Sequence, residues 1–226
     1  MAYEEKTNRW IGQSRLSSRQ WLRLIKLFEL EVSTRRIAQQ LKIAYNTSYK
    51  AVLALRLAIL ANSSISGLKG EVELDESYFG GHRKGNRGRG AAGKVPVFGI
   101  LERGGKVSVE VVPNVTAATL TGLTVKKVRR GSIVYTDRYR SYDSLMYCGY
   151  RHLKVDHQTH FSQGRVYING LEGFWSFAKE RLMKHHGISP ERFPLYLKEL
   201  EFRYNHRNQD LFPILAEYLC SIRSKS

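Results

Sequence analysis

The first sixty residues repeat apolar positions at helical spacing; beyond residue 70 that spacing gives way to short β-branched runs. Trp21, Leu24, Ile25 and Phe28 stand at i, i+3, i+4 and i+7, one face of a helix that Ser18 can cap. Ser33 or Thr34 can cap a second, short helix carrying Ile37, Ala38 and Leu41. Lys42-Ile43-Ala44-Tyr45 reads as a tight turn. Asn46 or Thr47 then starts a third helix, predicted to bury Val52, Leu53, Leu57 and Leu60. Short helix, brief turn, longer helix is the helix-turn-helix pattern. The Ser- and Gly-rich run SSISGLKG (63–70) is a linker, so a small all-α domain is predicted at 1–66 and a second domain at 67–226.

In the second domain, alternation predicts a strand in GEVELDESYFGG, then a basic glycine loop, HRKGNRGRGAAGK. Strands follow in VPVFGILERGG and KVSVEVVPN, joined by a turn at Gly104-Gly105. A helix over TAATLTGLTVKKV, a strand in GSIVYTDRYRSY, a short helix from near Tyr142 and a strand around YRHLKVD come next. A long helix runs from about Asn169 to His185, and helices in EFRYNHRN and DLFPILAEYLCSI close the fold. Three strands, helix, strand, helix, strand, helix implies a mixed α/β sheet in the order of the RNase H-like fold.

Composition narrows the partner. Lys and Arg number 37 against 20 Asp and Glu, a formal charge of +17 on 226 residues. The 42% hydrophobic content excludes general disorder, and no apolar run approaches a membrane span. The N-terminal MAYEEKTNRW carries acids and no apolar core, so no secretory signal is expected. Cys148 and Cys220 form no CxxC pair, which argues against a disulfide scaffold or a zinc ribbon. A cytoplasmic protein associated with the nucleoid through DNA is the expectation, with no membrane partner.

The excess splits as +7 on residues 1–66 and +10 on the remainder, which suits an extended double-stranded DNA footprint. In a helix-turn-helix, Asn46, Thr47, Ser48, Tyr49 and Lys50 would face the major groove, while Arg35 and Arg36 would hold the backbone. In the glycine loop, Arg83, Lys84, Arg87, Arg89 and Lys94 suit phosphate contacts. That loop nearly spells a Walker A motif, but Val95 replaces its Ser/Thr and a strand is predicted next, so ATP is not expected. His152, His157 and His160 have no accompanying Cys; surface or DNA contact is expected of them, and no zinc.

Three acids stand apart. Asp75 lies on the first strand, Asp137 at the end of the fourth, and Glu172 near the start of the long helix, 35 residues after Asp137. Carboxylates converging from three elements repel one another and call for a hard cation, Mg²⁺ or Mn²⁺. Two such ions about 3.5–4 Å apart can activate a water or 3′-hydroxyl and stabilise the leaving oxygen at phosphorus. Glu71, Glu73 and Glu76 beside Asp75 read as a solvated face.

The segments ELDESYFGG, RGRGAAGK followed by VFGI, VYTDRYRSY and HFSQGRVYINGLEGFWSFAKERL together resemble DDE-type transposases of bacterial insertion sequences, most closely the ISXO-like group. The resemblance covers roughly residues 68–210. It implies that Asp75, Asp137 and Glu172 form the DDE triad, cutting transposon ends and joining them to target DNA with two divalent ions. Some members carry Asn in third position, and Asn169 lies one turn before Glu172; charge and spacing favour Glu172, with Asn169 assisting. The resemblance also places Lys179 on the transposon-end phosphate. Joining two ends implies a homodimer or higher oligomer. A non-catalytic helix-turn-helix regulator and a structure-selective RNase H-like nuclease are the alternatives.

Overall fold

The computed structural model describes residue 11 and residues 14–80, 94–137, 140–155, 168–185 and 187–221. In chain order the elements are α1 (Ser18–Glu29), α2 (Thr34–Leu41), α3 (Tyr45–Asn62), β1 (Glu71–Phe79), β2 (Val95–Glu102) and β3 (Val107–Val111). After them come α4 (Ala117–Lys127), β4 (Ile133–Thr136), a 3-10 segment (Arg140–Cys148), β5 (Arg151–Lys154), α5 (Asn169–Met183), α6 (Phe193–Asn205) and α7 (Leu211–Ser221). They divide into two compact units, Met1–Ser64 with His206–Ser226, and Ile65–Asn205.

The first unit is all-α. Its first helix starts on Ser17 rather than Ser18: Ser17 Oγ accepts the Gln20 N–H while Gln20 Oε1 accepts the Ser17 N–H, a capping box. Ser33 caps α2, which ends at Lys42 in the left-handed region, φ 52°. That reversal turns the chain into α3, whose first helical residue, Tyr45, precedes the starters read from the sequence. The buried face of α3 also differs. Ala51, Val52, Ala54, Leu55, Ala58 and Ile59 are buried, whereas Leu53 and Leu57 are only half-buried and Leu60 is 39% exposed. The cause lies at the other end of the chain: α7 packs on α3 and α1, so α3 is covered from more than one side. The final helix, expected to close the second domain, therefore belongs to the first unit.

The second unit is a five-stranded mixed sheet in the order β3-β2-β1-β4-β5. Strands β1, β2 and β3 form an antiparallel meander, and β1, β4 and β5 are parallel, which is the RNase H-like arrangement. On one face, α4 and the 3-10 segment cover Val72, Leu74, Phe98, Ile100 and Val134 through Leu120, Tyr142 and Leu145. On the other, α5 and α6 cover Phe79, Val97, Leu101 and Val109 through Leu171, Phe174, Trp175 and Leu197. Strand β3 is an edge, and α6 satisfies part of it. Asn205 bonds both the N–H and C=O of Val107 at 2.8 Å, and Glu201 accepts the Val109 N–H at 2.7 Å.

Candidate active site

The period of a strand sends Val72, Leu74 and Glu76 to one side of β1 and Glu71, Glu73 and Asp75 to the other. The second side lies under α5, and there the acids do different work. Glu73 is buried; its carboxylate accepts the Leu171 N–H in the first turn of α5 and Arg103 Nε, each at 3.0 Å. Arg103 also pairs with Glu71 at 2.6 Å and stacks over the Tyr135 ring at 3.7 Å, and the Tyr135 hydroxyl donates to Glu71. Glu73 thus supplies the charge that the N-terminus of α5 favours and anchors it to the sheet. Gly170 permits the approach, since a Cβ there would stand 2.3 Å from Leu101 Cδ2 and 2.9 Å from Glu73 Oε2.

Asp75, one strand repeat further on, is half-buried, and Trp175 Nε1–H donates to its Oδ2 at 2.9 Å. The indole lies across β2 at Gly99, which pairs with Asp75 in the register; a Cβ on Gly99 would meet Trp175 Cζ2 at 2.6 Å. Burial pushes the Asp75 carboxyl up to about 7; the Trp175 bond opposes that rise, while the charges of Glu76 and Asp137 add to it. Asp137 follows the last residue of β4, the strand parallel to β1, and sits close enough to influence Asp75. Thr136, just before it, bonds His152 Nε2 on β5 at 2.8 Å and donates to the Asp137 carbonyl at 2.7 Å.

Glu172 is exposed in the first turn of α5. At about 100° per residue, Glu172 and Lys179 lie within about 60° of Trp175 around the helix, whereas Asn169 lies about 120° away. Lys179 Nζ stands 5.9 Å over the ring of Phe79, which shares its face of β1 with Asp75. Of the two candidates for the third position, Glu172 is on the side that carries Trp175. Among the described residues, however, no three acidic, His or Cys side chains gather closely enough to cage an ion. Asp137 is near enough to Asp75 for its charge to be felt there.

The neighbouring acids are not a solvated face. Glu73 and Glu76 are buried, and the Tyr142 hydroxyl donates to Glu76 beneath the opposite side of β1. Glu73, Arg103, Tyr135, Gly99 and Trp175 were missed as site residues. The available signal was the shared strand face of Glu73 and Asp75, and the placing of Trp175 one turn after Glu172.

In the first unit, Arg35, Arg36, Asn46 and Lys50 are exposed, Thr47 is half-buried, and Tyr49 stacks on Tyr45 with ring centroids 6.1 Å apart. Ser48 is not on the open face. It is fully buried, and its Oγ donates to the Thr34 carbonyl, tying α3 to α2. Arg35, Gln39, Lys42 and Tyr45 border an open hollow of about 450 Å³. Lys94 precedes β2, and Val95 opens that strand rather than a helix. Arg83, Lys84, Arg87, Arg89, His157 and His160 lie outside the described residues.

Residues 67–205 match the family model of the ISXO2-like transposase domain. The chain belongs to that family. It is 50% identical over 101 residues to an uncharacterized transposase-like protein of Haemophilus influenzae, covering 45% of this chain and 82% of that protein. It is 28% identical over 220 residues to an uncharacterized protein in the transposable element ISH50 of Halobacterium salinarum, covering 89% of this chain and 74% of that one. Among solved structures it is similar to the Mos1 mariner paired end complex with Mn, at 12% identity and a TM-score of 0.33 over 89% of this chain and 78% of that one. No helix among the described residues is long and apolar enough to cross a membrane.

Proposed function

We propose that this transposase binds the ends of an insertion sequence and catalyses DNA cleavage and strand transfer by metal-assisted phosphoryl transfer. The observation that carries the reading is that β1 and β4 are adjacent parallel strands, with Asp75 on the first and Asp137 just past the second, near enough for its charge to add to a rise of the Asp75 carboxyl to about 7. A group so poised is a site candidate, because a cation between the two carboxylates would reverse the repulsion. The donor set fits Mg²⁺ or Mn²⁺, since all its atoms are hard carboxylate oxygens. Asp75 and Asp137 would hold the ions, Glu172 would complete the set from α5, and Asn169 would assist. Bound there, two ions would activate the attacking water or 3′-hydroxyl and stabilise the leaving oxygen.

The chain's own residues supply the rest. Trp175 orients the Asp75 carboxylate, Glu73 and Arg103 hold the start of α5 on the sheet, and Lys179 meets a transposon-end phosphate. Arg35 and Arg36 hold the DNA backbone in the first unit, with Asn46, Thr47, Tyr49 and Lys50 turned to the groove. Arg83, Lys84, Arg87, Arg89 and Lys94 would add phosphate contacts. Because two ends must be joined, the working form is a homodimer or larger.

The test is Asp75→Asn. Strand transfer in Mg²⁺ should vanish on a gel that separates cleavage from joining, while gel-shift affinity for end-bearing DNA persists. Undiminished joining by the variant would sink the assignment, and cutting without joining by the wild type would favour a structure-selective nuclease.

A further inference from the structure

Parallel strands β1, β4 and β5 begin at the end of the sheet away from Asp137, and the segments leading into them are bonded to one another. Leu68 N–H donates to the Lys127 carbonyl and Arg129 N–H to that of Leu68, at 2.9 and 2.8 Å. Ile133 N–H donates to Gly70 and Gly131 N–H to Gly149, both at 2.8 Å, and Arg151 N–H to Ser132 at 3.1 Å. Residues 67–70, 126–133 and 149–151 are therefore one surface. They hold six basic residues and no acidic one.

Lys127 is occupied with Glu110, but Lys69, Lys126, Arg129, Arg130 and Arg151 are exposed, and none has an ion pair among the described residues. The carboxylates next to them are engaged elsewhere. Glu102 accepts the Lys69 backbone N–H at 3.0 Å, and Glu71 holds Arg103 and Tyr135. The surface between the cations is low. Gly67, Gly70, Gly131 and Gly149 all take positive φ, and a Cβ on Gly70 or Gly131 would meet nothing within 4 Å. Clustered cations around bare backbone suit a large, stiff polyanion that must come close, more than a small anion needing a pocket.

We propose that this end of the sheet is a sequence-independent site for the phosphates of duplex DNA, distinct from the carboxylate site. The proposal rests on the reading of this chain as a transposase acting on DNA. Beyond the turn at Arg130 and Gly131, five residues of extended chain carry Ser132 to Asp137, about 17 Å at roughly 3.3 Å per residue. At 3.4 Å per nucleotide that is about five base pairs of duplex. The site either steadies the cleaved duplex that far from the cut or holds a second duplex.

The experiment uses the full chain and a variant, Lys126→Gln, Arg129→Gln, Arg130→Gln, Arg151→Gln. Binding of a 30-base-pair random duplex is measured against salt. The magnitude of the slope of log K on log[salt] should fall by about 3.6, at roughly 0.9 per phosphate contact for the four cations removed. Affinity at 100 mM salt should drop at least tenfold, and an all-Lys variant at the three Arg positions should retain most of it. Two arms separate the sources. If the cleaved duplex is held, affinity for end DNA steps up when its length beyond the cut reaches about five base pairs. If a second duplex is held, end length has no effect and a separate labelled duplex is captured, both features lost in the Gln variant. An unchanged slope and affinity in the Gln variant would overturn the proposal while metal-dependent cleavage by wild type still stood. Loss of cleavage with the slope difference intact would instead overturn the catalytic reading.

Discussion

Trp175 holds Asp75: the indole N–H donates to Oδ2 at 2.9 Å while the ring rests on the bare backbone of Gly99. A bond to an ionised group contributes about 1.5–3 kcal/mol. Trp175→Phe keeps a ring over β2 and removes only the donor. Single-turnover cleavage at saturating Mg²⁺ should fall ten- to a hundredfold, with stability reduced by about 1.5–3 kcal/mol. A variant as fast as wild type would reduce Trp175 to a packing residue.

Gly99→Ala probes the same contact from the strand. The new Cβ would lie 2.6 Å from Trp175 Cζ2, so the ring must move. Overpacking of this kind costs about 1–3 kcal/mol. Phenylalanine lacks the indole atoms that clash and leaves only the Leu171 Cδ2 contact at 2.9 Å, so the Ala substitution should cost less in a Trp175→Phe background. A double-mutant cycle in urea reads the coupling, and strict additivity would show that the two positions do not touch.

Asp75 should cost the empty protein stability. Its carboxyl binds a proton more tightly in the folded chain, about 7, than at the ordinary 3.8, so stability falls as pH rises through that window. The slope is up to about 1.4 kcal/mol per pH unit. Asp75→Asn should therefore melt several degrees higher than wild type at pH 7.5 without metal, and the two should converge near pH 4. Mg²⁺ should raise the wild-type melting temperature and leave the variant unmoved. Equal melting curves at pH 7.5 would contradict the strained carboxylate.

Glu73 and Glu71 both meet Arg103, yet their side chains are 1% and 34% exposed. Removing one partner of a buried pair costs about 3–5 kcal/mol. An exposed pair contributes about 0–1 kcal/mol. Glu73→Ala should thus destabilise far more than Glu71→Ala in urea melts, and should raise amide exchange at the start of α5. A reversed order would break the anchoring role.

The first unit should depend on the end of the chain. Leu215 and Leu219 are the buried residues of α7, each 1% exposed. Leu215→Ala should cost about 2–5 kcal/mol. Hydrogen exchange should then accelerate at Leu55 and Ile59 of α3 while β1 stays protected. Uniform acceleration in both units would mean that they do not unfold separately.

The strands, helices and order of the second unit were readable because alternation and helical period act within a few residues. The same locality explains the errors. Ser48 is polar and sits early in α3, so by pattern alone it belongs with Thr47 and Lys50; only the approach of α2 makes it a buried tie to Thr34. Glu73 reads as one of four acids on a strand, and its burial depends on Arg103 and α5 arriving from far along the chain. Asp75 and Asp137 stood out by their places at strand positions, whereas Trp175 as the partner of Asp75 did not, because the two are a hundred residues apart.

Periodicity, charge and motif spacing are properties of the chain, so they carried the mixed sheet, the excess of positive charge and the candidate acids before any folding was considered. Which residues share a surface is decided by packing, and packing placed α7 with the first three helices, buried Glu73 beneath the start of α5, and bonded Trp175 to Asp75. It also zipped three distant loops into one basic face at the start of β1, β4 and β5. Local pattern sets what each segment becomes; long-range contact, whose closure no short window records, sets what each side chain does.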